Sequence, residues 1–202
     1  MNIVNTLKVI VDNPRIHACW LNSLSYLEYR GFRKIIRSRT TKEISLQILI
    51  HSAEEVRHSV FFKRQAVKIG GNDFIHFAEE SLLASQALKN YFYKIDARTM
   101  AAIEGVQGSL LSEAAYSVIT WLVETRALSL YEEYEKILRA SSAQFSLSSI
   151  LREESLHLKE IGISAARFLL EQGFDLQFIA AIEKSEFEKL WIAIQESFEV
   201  RP

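Results

Sequence analysis

The chain has one cysteine, Cys19, in 202 residues. A single thiol excludes an internal disulfide framework, a cysteine-built zinc site and an iron–sulfur or rubredoxin module within this chain, and it fits a reducing compartment, the cytoplasm. Proline is scarce, with two residues, and glycine numbers seven. So few helix breakers point to long helices. No run approaches the roughly eighteen unbroken apolar residues of a membrane span. The opening stretch MNIVNTLKVIVDNP has too few basic residues and too short an apolar run for a signal peptide. An excess charge of one sign is also missing, because 24 Lys and Arg face 25 Asp and Glu. No overall field draws the chain to nucleic acid, so such a partner would need a local patch. The candidate is YRGFRKIIRSRTTK, residues 29–42, with Arg30, Arg33, Lys34, Arg37, Arg39 and Lys42. The solvated C-terminal end of a helix accounts for this run; a docking face for an acidic redox partner is the competing reading.

What is present is helical periodicity. With 49% apolar residues the chain can build a real core, and one domain over 1–202 is expected, without an interdomain linker. Pro14 after Asn13 suits a first helical turn, and Trp20, Leu21, Leu24, Leu27 and Ile35 continue at helical spacing to about residue 38. Thr40 with Glu43 forms a capping-box pattern for a second helix, which runs to the stop signal Gly70-Gly71. Asp73 can cap a third helix through about residue 94. After a break at GVQGS, residues 105–109, a long helix runs to about 139, and another spans about 147–172 and is closed by Gly173. Asp175 can start a final amphipathic helix, about 175–199, with Ile179, Ile182, Leu190, Ile194 and Phe198 on one stripe. No segment alternates with period two, so the expected class is all-α. Short turns make two antiparallel hairpins, and the nearly forty residues between them return the chain to the opposite end, since about twenty helical residues span roughly 30 Å. This core bundle covers about 14–172.

Two of the chain's five histidines sit in matching settings, SAEEVRHSV at 52–60 and LREESLHLK at 151–159. Residues three apart share a helix face, so Glu55 with His58, and Glu154 with His157, each offer one carboxylate and one imidazole to a common point. Two further glutamates interrupt apolar stretches, Glu28 in SLSYLEYRGF and Glu124 in VITWLVETRAL, where a charge is costly unless compensated. The order is Glu then ExxH, repeated twice. Four carboxylates gathered in a core repel and take up protons; two divalent cations balance them, and the imidazoles complete an oxygen and nitrogen set suited to iron or manganese. Glu54 and Glu153, four residues before the histidines, could replace their neighbours as ligands; the preferred place for both is an outer ring that fixes the imidazoles. Glu113 is a rival to Glu124. Glu132 and Glu133, in YEEYEK, are expected to face solvent. His51, one turn before Glu55, reads as a third histidine near one metal, a proton donor, or a hydrogen-bonded core group, the last being favoured. Tyr26, Tyr29, Tyr116 and Trp121 lie near the ligands in sequence, Tyr26 and Trp121 as possible outer neighbours, although packing is the commoner use of such rings. Capping explains Asp73 better than a metal pair with His76 does, and His17 reads as an ordinary helix residue.

The repeat resembles the ferritin-like di-iron carboxylate proteins, whose pattern is a Glu from each of two helices and ExxH from each of the other two. The resemblance assigns Glu28, Glu55, His58, Glu124, Glu154 and His157 to two transition-metal ions, Fe/Fe or alternatively Mn/Fe or Mn/Mn, with Glu55 and Glu154 bridging. It implies an oxidase or oxygenase that activates dioxygen to oxidise a small, apolar organic substrate. The spacings and REESLH are also similar to aldehyde-deformylating oxygenases, with Phe32, Phe61 and Phe62 as possible pocket residues. The alternative is ferroxidase and iron-storage chemistry, or peroxide reduction by a rubrerythrin-like protein without its rubredoxin cysteines. Hydroxylation of tRNA and a metal-binding scaffold without turnover are further options. The expected partners are dioxygen or peroxide, the substrate and an external electron donor, with a homodimer as a further option.

Overall fold

The computed structural model describes residues 2–37, 42, 44–103, 109–141 and 143–199. These form seven α-helices and two short 3₁₀ turns, and no strand occurs among the described residues. The helices are α1 (Ile3–Asp12), α2 (Pro14–Arg37), α3 (Leu46–Gly70), α4 (Ser85–Ala102), α5 (Ser109–Ala140), α6 (Ser148–Glu171) and α7 (Leu176–Glu199).

Local chemistry sets most boundaries. Asn13 accepts from the Ile16 backbone N–H at 3.1 Å and Pro14 follows at the first helical position, where its missing N–H costs nothing. The second long helix is capped by Ser45, whose side chain accepts from Ile48 N; the expected Thr40–Glu43 box lies outside the described residues. Gly71 ends α3 at φ 78°, a conformation that favours glycine. A paired Schellman closure ends α6: Gly173 N–H reaches Leu170 O at 3.1 Å and Phe174 N–H reaches Leu169 O at 2.8 Å. The α5–α6 turn is tied by buried Glu135, which accepts from Leu147 N at 2.7 Å, Ser146 Oγ at 2.8 Å and Arg139 Nε at 2.7 Å. One carboxylate thus satisfies orphan donors at the next helix's start.

Two expectations are corrected. The first expected helix starts at Pro14, but the residues before it form α1, which buries Thr6, Leu7 and Ile10 at helical spacing against α2 and α5. The third helix does not start at Asp73. That residue lies in the 3₁₀ turn Gly71–Phe74 and faces Arg15 at 3.4 Å, a second 3₁₀ turn spans Glu79–Ser81, and α4 begins only at Ser85.

Helices α2 and α3 form one antiparallel hairpin. Ser25 and Ser59 exchange hydroxyl-to-carbonyl hydrogen bonds, each 2.8 Å, which needs close helix approach. Helices α5 and α6 form the other, with Trp121 opposite Gly162 and Glu135 beside Leu147. His51 meets Tyr116 near the start of α3 and the described part of α5, and Phe62 meets Tyr131 further along both. Hence α3 and α5 run the same way, and the segment between them carries the chain back. α7 packs on α4 and reaches the core through Trp191, edge-on to Trp20 of α2 at 6.0 Å. Arg126 of α5 grips buried Glu183 of α7 with two bonds of 2.9 and 3.0 Å, and Tyr91 of α4 donates to the same carboxylate at 2.6 Å. Among the described residues no helix is long and apolar enough to cross a membrane.

Candidate metal centre

Where α2, α3, α5 and α6 converge, the core turns polar. Glu28, Glu55, His58, Glu124 and Glu154 are each at most 7% exposed, and His157 is half-buried. Their donor atoms fall into two clusters, within each of which all ligating atoms lie within 4.8 Å: Glu28, Glu55, His58 and Glu154 in one, and His51, Glu124 and His157 in the other. Buried clusters of this kind can hold a metal ion. Contacts link them, since His51 Nε2 lies 3.0 Å from Glu124 Oε1 and 3.3 Å from Glu55 Oε1.

The outer ring is reciprocal. His58 on α3 points Nε2 at Glu153 of α6 at 2.8 Å, while His157 on α6 points Nε2 at Glu54 of α3 at 2.6 Å. Each glutamate just before an ExxH motif therefore serves the imidazole of the other motif. Arg57 bridges the two glutamates, 2.8 Å from Glu153 and 3.5 Å from Glu54, a contact with no clear sequence signal. With the outer nitrogens occupied, the inner ones face carboxylates: His58 Nδ1 is 3.0 Å from Glu154 Oε1, and His157 Nδ1 is 3.9 Å from Glu124 Oε1. His51 repeats the arrangement with its nitrogens reversed, Nδ1 meeting Tyr116 Oη at 2.8 Å and Nε2 facing inward.

The inner atoms are unsatisfied. His51 Nε2, His58 Nδ1, His157 Nδ1, both oxygens of Glu124 and Glu154 Oε2 are buried without a hydrogen-bond partner. Leaving one buried polar group unpaired costs about 1–3 kcal/mol, and these six atoms together form a donor set that a metal ion could satisfy. A pair of cations fits both the donor set and the charge.

The protonation pattern agrees. Burial, then the negative charge of Glu28, push Glu55 above the ordinary carboxylate range, and burial raises Glu154 too, with His58 opposing. Burial alone would lower His51 and His58; Glu124 and Glu55 instead push His51 up to about 12, and Glu154 and Glu28 push His58 up to about 11. Glu153, against the pull of burial, is held low by His58 and Arg57. Without a metal the site therefore holds protons as its counter-charge.

Comparison with family models, curated proteins and solved structures returns no significant match.

Other expectations fall differently. The Tyr26 hydroxyl accepts from Arg30 and its ring packs on Phe77, while Trp121 faces Gly162; these contacts turn both rings toward packing rather than the imidazoles. Tyr29 likewise stacks on Phe77 and accepts from Arg33. In the basic run, Lys34 pairs with Asp96, and the side chain of Arg39 lies outside the described residues. The side chain of Glu113 is also outside them, whereas Glu132 is exposed and Glu133 pairs with Lys136. His17 is buried against Tyr134 at 2.5 Å, and burial lowers its pKa to about 4.

Three features escaped sequence reasoning. Tyr131, the first residue of the charged YEEYEK stretch, is buried and donates to Glu28. Gly31 lets Glu55 approach α2: a Cβ there would lie 2.5 Å from Glu55 Oε2. The third concerns the pocket. A cavity of about 70 Å³ reaches Glu28, Glu55, Glu124 and Glu154, and its apolar wall includes Trp20, Leu27, Phe92, Phe187, Leu190 and Trp191. The expected Phe32, Phe61 and Phe62 are not among its lining residues; Phe61 and Phe62 pack with each other and with Phe145 and Tyr131. A more open groove of about 700 Å³, whose lining has a larger polar share, reaches His51, Glu54, Tyr116, Glu153 and His157.

Proposed function

We propose that this chain is a ferritin-like dinuclear metal carboxylate protein that activates dioxygen to oxidise a small, apolar organic substrate, with electrons from an external donor. One observation carries the reading: buried, unpartnered nitrogen and oxygen atoms from four helices converge, and each imidazole is anchored from behind by an oxygen. The arrangement of Glu from α2 and α5 and ExxH from α3 and α6, on two hairpins joined by a long return, supports the ferritin-like assignment. Iron, or manganese with iron, suits the mixed oxygen and nitrogen donors. When bound, such a pair supplies redox chemistry toward dioxygen.

The chain's own residues set geometry and access. Glu54 and Glu153 fix imidazole orientation and leave Nδ1 free to ligate. Tyr131 occupies one oxygen of Glu28 and so directs the other inward. The cavity's largely apolar wall offers a substrate a place beside the carboxylates. Its size suits a molecule, or the end of one, of only a few heavy atoms.

The open groove favours a second reading, ferroxidase or peroxide chemistry, because ions or peroxide can reach His51 and His157 through it. Metal analysis with size-exclusion chromatography separates the two. The oxygenase reading expects about two metal ions per chain, a small assembly, and reductant-dependent oxygen uptake stimulated by short apolar molecules. A cage-sized particle carrying many irons per chain would support iron storage. Reductant-dependent peroxide consumption without any effect of organic molecules would support peroxide removal, and failure to bind metal would refute both.

A further inference from the structure

We propose that His51 is a direct metal ligand, a seventh beside the six of the Glu and ExxH repeat, and that it makes the two metal positions chemically unlike. This rests on the dinuclear reading above and goes beyond it. The nitrogen-rich position would be built by His51, His157 and Glu124, and the oxygen-rich one by Glu28, Glu154 and His58, with Glu55 contacting both clusters.

Geometry supports the assignment. His51 is 5% exposed, and its Nε2 has no hydrogen-bond partner although carboxylate oxygens of Glu124 and Glu55 stand 3.0 and 3.3 Å away. Those contacts lack the alignment of an N–H donor. A buried ring nitrogen aimed between two carboxylates, short of an aligned hydrogen bond to either, is placed to share a cation with them once it has lost its proton. The back of the ring is held as in the other two imidazoles, by Tyr116 where they have Glu153 and Glu54. The outer neighbour that holds the direction of a metal-bound histidine is therefore present, here a hydroxyl able to accept from Nδ1–H. The His51 and His157 ring centres are 4.5 Å apart, and each ring presents an unpartnered nitrogen. One cation can take both.

The inequality is already in the sequence. In the second half of the repeat the position one turn before the motif is Ile150, a buried core residue. The other metal position therefore gains no matching imidazole from that turn. Imidazole-rich donor sets suit ferrous iron and zinc, whereas carboxylate-rich sets suit manganese. The two positions should accordingly differ in affinity and in metal preference.

The test uses the full chain, stripped of metal and reloaded anaerobically with ⁵⁷Fe(II), with wild type, His51→Ala and His51→Gln compared by elemental analysis and Mössbauer spectroscopy. Wild type is expected to give two distinct ferrous signals of equal area. In both variants one signal changes or disappears, with affinity at that position lowered at least about tenfold, while the other is retained; added imidazole restores the lost signal in His51→Ala. Two bound irons with affinities and spectra unchanged by both substitutions would overturn the proposal. Should the variants misfold, wild type decides, because a single ferrous environment for both irons overturns it equally. Wild type that takes up no iron pair would refute the dinuclear reading itself, which is a separate and distinguishable failure.

Discussion

Replacing Glu55 with glutamine should have opposite effects on the metal-free and metal-loaded protein. Burial, and then the charge of Glu28, push Glu55 up to about 8 from an ordinary 4.5. At pH 7 the group is therefore protonated in the metal-free fold but ionised in the unfolded chain. Because the folded value is raised, its contribution to stability is complete below pH 4.5 and is lost as pH rises toward 8. Each pH unit in that window costs about 1.4 kcal/mol, hence about 3 kcal/mol at pH 7. Glutamine keeps the shape without titrating, so at pH 7 E55Q should stabilise the metal-free protein by up to about 3 kcal/mol, or roughly 6–12 °C in Tm for a chain of this size. The gain should vanish near pH 4.5 and level off above pH 8. Metal reverses the order: at about a thousandfold excess over Kd a bound ion adds about 4 kcal/mol, most of which E55Q should forfeit along with a ligand. Thermal unfolding followed by circular dichroism at several pH values, with chelator and with ferrous or manganous ion, reads both effects. The reasoning fails if E55Q lowers the metal-free Tm at pH 8, or if metal raises both proteins equally.

Gly31→Ala should improve intrinsic helix propensity by about 1 kcal/mol yet weaken metal binding, because the new methyl displaces the Glu55 carboxylate; unchanged affinity in a metal titration would contradict this. Glu54→Ala and Glu153→Ala should each lower metal affinity about 10–100-fold by releasing an imidazole, whereas Arg57→Ala, at a half-exposed side chain, should cost much less. His51 and His58, raised to about 12 and 11, are protonated in the metal-free protein at neutral pH and must lose those protons to ligate. Binding should therefore tighten between pH 6 and 8 and release about two or three protons per metal pair. Calorimetry in buffers of different ionisation enthalpy would contradict the protonation scheme if it found no release.

The helices were legible where short-range chemistry decides them. Asn13-Pro14, Gly71 and Gly173 act within one turn of chain, and the start of α2 and the ends of α3 and α6 follow from them. The region after Gly71 departs from the expected helix because Asp73 looks like a cap locally, while Phe74, fully buried, anchors the chain in a 3₁₀ turn. The candidate ligands were legible for another reason: a glutamate in an apolar helix face is costly, and the ExxH spacing repeats. The outer ring was only half legible. Adjacency suggested Glu54 and Glu153, but their exchange across the α3–α6 boundary depends on how those helices pack. Tyr131, Gly31 and the α7 wall of the cavity left no local signal, because their roles arise from contacts between segments far apart in the chain.

The most direct test is a crystal structure of the metal-loaded protein with anomalous scattering measured at the iron and manganese edges. The account predicts two peaks enclosed by α2, α3, α5 and α6, contacted by Glu28, Glu55, His58, Glu124, Glu154 and His157. Density for metal only at the surface, or an empty centre with those carboxylates hydrogen-bonded to one another after saturating incubation, would contradict it.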